Sequence, residues 1–122
     1  MTLEEMKQQV MFQTGNDADD LGDFLPHVVD YLNDGYDRLM FAHCGIHVTI
    51  DGAVMPLVHD KSMPELPQWA HAAIADWATW RIYRNGAAAR QARGLAFRAS
   101  FEETERRLRN ESAARMFKNL PM

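Results

Sequence analysis

Apolar residues recur at helical spacing along most of this chain. In the first segment Leu3, Met6 and Val10 stand three and four residues apart, and Thr2 opens a capping-box sequence just before them. The pattern predicts a first helix that ends near Thr14, where a glycine and polar residues indicate a turn.

A broader apolar stripe predicts a second, longer helix. We place it from a cap near Asp23 to about His43, with Pro26 near its start, where proline is tolerated. Gly35 falls in the middle of this helix at a cost of about 1 kcal/mol relative to alanine. That glycine indicates either close packing or a local weakness.

The period changes from helical to alternating between residues 46 and 58. Ile46, Val48 and Ile50 alternate with polar residues, and Asp51 and Gly52 form a favoured sequence for a tight turn. We therefore expect a short β-hairpin at about 46–58, with an irregular loop as the alternative. A two-stranded ribbon is marginal alone, so it must lean on the helices or on a neighbouring subunit.

Two further helices are predicted in the second half. The segment from Gln68 to Asn85 is apolar on nearly every side, which is typical of a helix enclosed by protein. The segment from about 88 to 117 has a narrow apolar stripe, and about 30 residues would span about 45 Å, so part of it is expected to project. The candidate core residues are Trp69, Ile74, Trp77, Trp80, Phe97 and Phe101.

Together these elements predict one mainly α domain over residues 1–122. It is a bundle of four helices, the last one long, with a small β-hairpin inserted between helices 2 and 3. The composition, 47% apolar and 25% charged, argues against disorder, and no apolar run approaches the roughly 20 residues of a membrane span. The first residues do not form a secretory signal, and the single cysteine, Cys44, excludes an internal disulfide. We expect a cytoplasmic origin.

The charges separate along the chain. Residues 1–60 carry eleven acids and two bases, a net charge of −9, whereas residues 61–122 carry eleven bases and six acids, a net charge of +5. Complementary surfaces of this kind can join copies front to back into a ring or a filament, unless the halves neutralise each other within one molecule. The candidate interface pairs an acidic cluster with basic residues of a neighbour: Asp17, Asp19, Asp20 and Asp23 with Arg106, Arg107 and Arg109.

The sequence offers little for catalysis or metal binding. His43, Cys44 and His47, with His59 and Asp60 further on, are the best metal donors, but no Cys-x-x-Cys pair accompanies them, and surface histidines are the favoured interpretation. A cysteine–histidine nucleophile pair would need those side chains to be adjacent in space. No glycine-rich phosphate loop or serine elbow is present. We expect no metal, no cofactor and no enzymatic activity.

Two polar residues interrupt the apolar third helix. Asp76 is expected to pair with Arg81 or Arg84, because a carboxylate in such surroundings requires a partner. His71 is interpreted as a hydrogen-bonded core histidine. Both roles would be structural.

The arginine-rich last helix carries the alternative function, a small DNA-binding regulatory protein. Arg90, Arg93 and Arg98 are candidates for contacts with DNA or with a partner, because arginine binds phosphate and carboxylate with two hydrogen bonds. The overall acidity, with a pI near 5.7, argues against a dedicated nucleic-acid binder. Some charges are expected to pair one turn apart on the helix: Glu102–Arg106 and Glu103–Arg107.

Two parts of the chain, residues 2–43 and 64–86, resemble the tailed-phage head–tail connector (adaptor) proteins. They cover about half of the sequence and match in residue type, with no catalytic signature. The resemblance is carried by these segments: Thr2 to Lys7, Asp17 to Asp20, Tyr31-Leu32, Tyr36 to Leu39, Glu65 to Ala70, and the helix end at Tyr83 to Gly86.

The resemblance implies a small, mainly helical structural protein of the virion. Such subunits form a ring, twelve-fold when assembled, that joins the portal of the DNA-filled head to the tail. Portal and tail-completion proteins are then the partners, and genomic DNA passes non-specifically through the channel. The implied location is the head–tail junction, and the host cytoplasm during assembly. Pro26, the hairpin and the length of the last helix depart from the family pattern.

Overall fold

A computed structural model describes residues 1–15, 25–48 and 54–118 of the chain. The described part is mainly helical, as predicted, with short 3₁₀ turns at Leu25–His27 and Gln68–Ala70. Four α-helices follow one another in it: α1 Leu3–Thr14, α2 Val28–Cys44, α3 His71–Tyr83 and α4 Ala88–Lys118. Within these described ranges, no helix is both long and apolar enough to cross a membrane.

Helix α1 has the predicted bounds and cap. The Thr2 hydroxyl accepts a hydrogen bond from the Glu5 backbone N–H, and the Glu5 carboxylate accepts one from the Thr2 N–H. The buried face of the helix is the predicted apolar stripe. Gly15 ends the helix with a positive φ of 55°, which glycine adopts without strain.

Helix α2 begins later than the sequence predicts. Pro26 lies in the 3₁₀ turn before it, and the regular helix starts at Val28. The predicted cap, Asp23, lies outside the described residues. Gly35 is buried against α3, where an added Cβ would stand 3.0 Å from the Trp77 Cβ. Close packing at this glycine is therefore confirmed.

Helix α3 is the centre of the fold, with ten of its thirteen residues buried. Ile74, Trp77 and Trp80 are buried together with Phe101 of α4, and Phe97 of α4 is partly buried against the same core. The placement of Trp69 in the core is wrong. This residue lies in the 3₁₀ turn before α3, and its side chain remains 37% exposed. The Arg107 guanidinium covers the ring at 3.7 Å from its centroid, so the ring packs against a surface cation and not against the core.

The helices run in alternating directions, which gives the bundle two ends. At the first end the C-termini of α1 and α3 meet, where the Tyr83 hydroxyl donates a hydrogen bond to the Thr14 carbonyl at 3.3 Å. Gly94 in the N-terminal half of α4 packs against the same tyrosine. At the second end the C-termini of α2 and α4 meet, where the Arg115 guanidinium donates to the His43 carbonyl at 2.8 Å. We call these the first end and the second end.

The predicted β-hairpin at 46–58 is wrong: residues 46–48 and 54–58 form no strand. The predicted turn at Asp51-Gly52 lies outside the described residues. Of the described residues in this segment, Val48, Val54 and Leu57 are buried on the core, and the others are exposed or half-buried.

Side chains of α2 take the place of a second strand. The Asp37 carboxylate accepts a hydrogen bond from the Val48 N–H at 2.7 Å. The Asn33 side-chain amide accepts one from the Leu57 N–H at 2.8 Å and donates one to the Leu57 carbonyl at 3.0 Å. Because these backbone groups find their partners on a helix, the loop needs no ladder of strand hydrogen bonds.

Helix α4 packs on α3 and α2 through few residues. Only four of its 31 residues are buried. Every residue of its last two turns, 113–118, is exposed, and Arg115 contacts α2 from there. The helix therefore presents most of its length to solvent or to partners.

Candidate interaction surfaces

The histidine and cysteine donors do not converge on a metal site. The Cys44 thiol donates to the Met40 carbonyl at 3.4 Å, and His47 Nδ1 lies 3.1 Å from the Asp37 carboxylate. Within the described part of the chain, no three histidine, cysteine or carboxylate side chains are placed to hold a metal ion. These residues bind locally to the ends of α2 and its loop.

The polar residues of α3 have partners that the sequence analysis did not name. Asp76 accepts hydrogen bonds from Gln13 Nε2 at 2.8 Å and from the Ser100 hydroxyl at 3.0 Å, so its pairing with Arg81 or Arg84 is wrong. Burial raises the pKa of Asp76 above its usual value, while these two hydrogen bonds oppose the rise. The cluster joins α1, α3 and α4.

The interpretation of His71 as a core histidine is confirmed. Its side chain is buried, and its Nε2 donates to the Leu66 carbonyl at 2.9 Å. Burial lowers the pKa of His71 below its usual value, because the charged form loses hydration.

The middle of the bundle holds a buried carboxylate between two arginines. Glu105 accepts two hydrogen bonds from the Arg38 guanidinium, at 3.2 and 3.3 Å, and lies 3.5 Å from Arg109 Nη2. The Arg38 guanidinium also lies over the Trp77 ring, 4.6 Å from its centroid. Such an arrangement orders the contact between α2 and α4.

Ion pairs on α4 differ in register from the predicted ones. Glu102 pairs with Arg98 at 2.8 Å, one turn before it, and Arg107 pairs with Glu111 at 3.4 Å, one turn after it. The predicted pairs Glu102–Arg106 and Glu103–Arg107 are therefore wrong, because Glu102 and Arg107 each pair with a residue in the opposite direction along the helix.

The predicted interface residues are placed unequally. Asp17, Asp19, Asp20 and Asp23 lie outside the described residues. Arg107 stacks on a tryptophan and Arg109 contacts the buried Glu105, so both already have intramolecular roles. Arg106 is exposed and forms no ion pair within the described residues.

Two ion pairs within the described residues cross between the two halves of the chain. Asp34 pairs with Arg81 at 3.1 Å, an acid of the first half with a base of the second. Arg38 pairs with Glu105 in the opposite sense. The first pair offsets an acid of the first half with a base of the second, and the other pair does the reverse.

An apolar groove opens at the second end of the bundle. It has a volume of about 390 Å³ and lies between the last turns of α2 and α4. Phe41 is 54% exposed beside it, and Met116 and Phe117 at the tip of α4 are 69% and 75% exposed. Sequence reasoning expected the helix to project but did not identify this groove, which requires knowing that the two helix ends meet.

A second apolar patch lies towards the first end of the bundle. Phe12 and Met11, in the last turn of α1, are 81% and 52% exposed. The signal was present in the sequence, since neither residue falls on the buried stripe of α1. Adjacent large apolar residues on the outer face of a short helix make this patch a candidate contact surface.

An arginine-lined cavity lies between α3 and α4. Its volume is about 220 Å³, and it is lined by Trp80, Arg84, Gln91, Leu95 and Arg98. The guanidinium carbons of Arg84 and Arg98 lie 5.5 Å and 4.6 Å from the centroid of the same Trp80 ring. We call this site the arginine corner.

The other two candidate contact residues lie near this corner. Arg90 and Arg93 stand on the same half of α4, and the Arg93 guanidinium lies 5.7 Å from the Tyr83 ring centroid. Both take part in further interactions within the molecule. Of the three arginines proposed from the sequence, Arg98 is thus the one that lines the cavity.

No family model matches this chain, and neither a curated protein nor a solved structure matches it. Indications of function therefore come from the surfaces described above and from the sequence resemblance.

Proposed function

We propose that this chain is a structural subunit of a tailed-phage virion, a head–tail connector (adaptor) that assembles into a ring between portal and tail. One observation carries the proposal: large apolar side chains are exposed towards both ends of the bundle. The sequence resemblance supplies the class of assembly, with portal and tail-completion proteins as partners and with genomic DNA passing through the channel. The subunit would act at the head–tail junction and, during assembly, in the host cytoplasm.

The two apolar patches are too far apart to cover each other within one molecule. Helix α4 passes from Gly94, beside Tyr83, to Met116 with a rise of about 1.5 Å per residue, so the patches are separated by about 30 Å. A second copy in the same orientation would bring Phe12 of one subunit towards the groove of the next. Contacts between different surfaces of the same protein close into a ring or continue as a filament.

Charge supports the same front-to-back arrangement. Residues 106–118 hold five bases and one acid, a net charge of +4, around the groove at the second end. The acidic residues of the proposed interface belong to the first half of the chain, which has the opposite sign. Complementary charges of this kind orient a contact and accelerate its formation.

Two single substitutions test the arrangement. Phe12→Asp should remove one side of the contact and Met116→Asp the other, each without touching the core. Wild type should associate as its concentration rises in analytical ultracentrifugation, and each variant alone should remain monomeric. An equimolar mixture of the two variants should form dimers and nothing larger. In each mixed dimer, the intact Phe12 patch of one variant meets the intact groove of the other, and the two remaining surfaces are both substituted.

The matched control is Met63→Asp, because Met63 is also exposed but lies in the loop before α3. This variant should associate like wild type. A wild-type chain that stays monomeric over the whole concentration range would contradict the proposal. Association that survives Phe12→Asp and Met116→Asp together would contradict the assigned ends.

A further inference from the structure

Positive charge is concentrated in one uninterrupted stretch of the chain. Between Asp76 and Glu102 there are five arginines and no acidic residue. This stretch forms the C-terminal half of α3 and the N-terminal half of α4, which pack against each other. The C-terminal half of α4 differs, because glutamates alternate there with arginines.

The arginine corner holds two of these cations on one aromatic ring. Arg98 pairs with Glu102, whereas Arg84 is exposed and forms no ion pair within the described residues. Both guanidinium groups face Trp80, whose ring orients them but does not neutralise them. Two guanidinium groups and the single carboxylate of Glu102 leave a net positive charge at the cavity, and an anion placed there would be attracted by it.

The side chains that line the cavity favour an anionic ligand. Gln91 Nε2 donates to the Gly86 carbonyl, which fixes its amide beside the cavity. Guanidinium groups bind the oxygens of phosphate with paired hydrogen bonds. A phosphodiester backbone would occupy the cavity with one phosphate, and its repeated charges would be attracted by the net positive charge of residues 77–101, which a single carboxylate could not use to the same extent.

We propose that the arginine corner binds the phosphodiester backbone of double-stranded DNA without sequence preference. The inference deepens the proposed function and rests on it in one respect, namely that genomic DNA passes beside the assembled subunit. It assigns the contact to Arg84, which directly follows α3, and to Arg98 in the first half of α4. The basic tip of α4 is left to contacts between subunits.

The test measures binding of a fluorescein-labelled duplex of about 30 base pairs by fluorescence anisotropy at a series of salt concentrations. Wild type should bind, with an affinity that falls steeply as salt rises, because each phosphate contact releases counterions. Arg84→Gln should weaken binding about 3- to 10-fold and reduce the salt slope by about one. Arg84 is the preferred position because, among the residues that the structure describes, it makes no ion pair whose loss would disturb the fold.

Lys61→Gln is the matched control, since Lys61 is an exposed base in the loop before α3, outside the arginine corner and outside both apolar patches. It should change the affinity less than about twofold, as expected for a cation outside the contact. Equal losses from both variants, or binding that does not depend on salt, would overturn the assignment. Polyglutamate that competes as well as unlabelled DNA would also overturn it, in favour of an acidic protein surface.

The same variants separate this inference from the proposed function. Arg84→Gln should leave self-association in the ultracentrifuge unchanged, because the arginine corner is not part of either apolar patch. If the duplex binds but the chain never associates, the ring proposal fails while the DNA site stands. If the chain associates but Arg84→Gln binds DNA like wild type, the site fails while the ring proposal stands.

Discussion

Helices α3 and α4 pack against each other, yet they have different roles in the molecule. Of the thirteen residues of α3, ten are buried, whereas only four of the 31 residues of α4 are buried. The short helix supplies the core and the long one supplies surface. The difference teaches that substitutions in α3 should act on folding, and substitutions on the outer face of α4 should act on contacts with partners.

The largest effect is expected from the tryptophan that α3 places in the core. Trp77→Ala should reduce the free energy of unfolding by about 3–5 kcal/mol, because a large buried side chain leaves a cavity. The matched control is Trp69→Ala, at a 37% exposed ring, which should cost less than about 1 kcal/mol. Urea unfolding measures both, and equal losses would remove the distinction between core and surface.

A smaller effect is expected where α4 itself reaches the interior. Glu105→Gln should reduce the free energy of unfolding by about 1–3 kcal/mol, because the Arg38 guanidinium would lose its charged partner beside the core. Glu103→Gln, on the exposed face of the same helix, should change it by less than about 0.5 kcal/mol. If both variants unfold at the same urea concentration, Glu105 does not order the contact between α2 and α4.

Part of the pH dependence of the free energy of unfolding should come from Asp76 in α3. Its raised pKa means that the folded chain holds this proton more tightly than the unfolded chain, so folding loses stability as the pH rises from 3.8 through the raised pKa. Asp76→Asn removes this titration. The stability of the variant minus that of wild type should therefore increase with pH in this range, as measured by urea unfolding in a series of buffers. A constant difference would show that Asp76 titrates alike in both states.

The smallest effect is expected at Arg106, an exposed arginine of the proposed subunit contact. Arg106→Gln should leave the free energy of unfolding within about 0.5 kcal/mol of wild type, since its side chain makes no ion pair within the described residues. The same substitution should weaken self-association at low salt, where charge attraction is least screened. Loss of stability here would place Arg106 among the structural residues instead.

Sequence periodicity predicted the helices because each carries its own signal. The capping sequence at Thr2, the apolar stripe of α1 and the all-round apolar surface of α3 depend on residues that are near one another in the chain. Gly35 indicated either close packing or a local weakness because glycine in a helix interior is costly, and only the contact with Trp77 of α3 decides between the two. The bounds of the helices followed from these features to within a few residues.

What failed depended on contacts between distant segments. The alternation around Val48 looked like a strand because nothing local shows that Asp37 and Asn33 bind the backbone of Val48 and Leu57. Asp76 was assigned an arginine from its own helix, whereas its partners come from α1 and α4. The arginine corner also requires α3 and α4 to be folded together, so the charge pattern alone located its helix but not the cavity.

The two hydrogen-bonded anchors on α2 determine where the connecting loop can change. Asn33 and Asp37 stand four residues apart, so the chain between Val48 and Leu57 leaves and returns to α2 within one helical turn. Lengthening such a closed segment is inexpensive, because each doubling of its length adds only about 0.6 kcal/mol of closure entropy. A fluorescent or affinity tag inserted in the loop between Val48 and Leu57 would therefore give a labelled subunit with its helices undisturbed. Such a subunit would be suited to counting copies in an assembled particle.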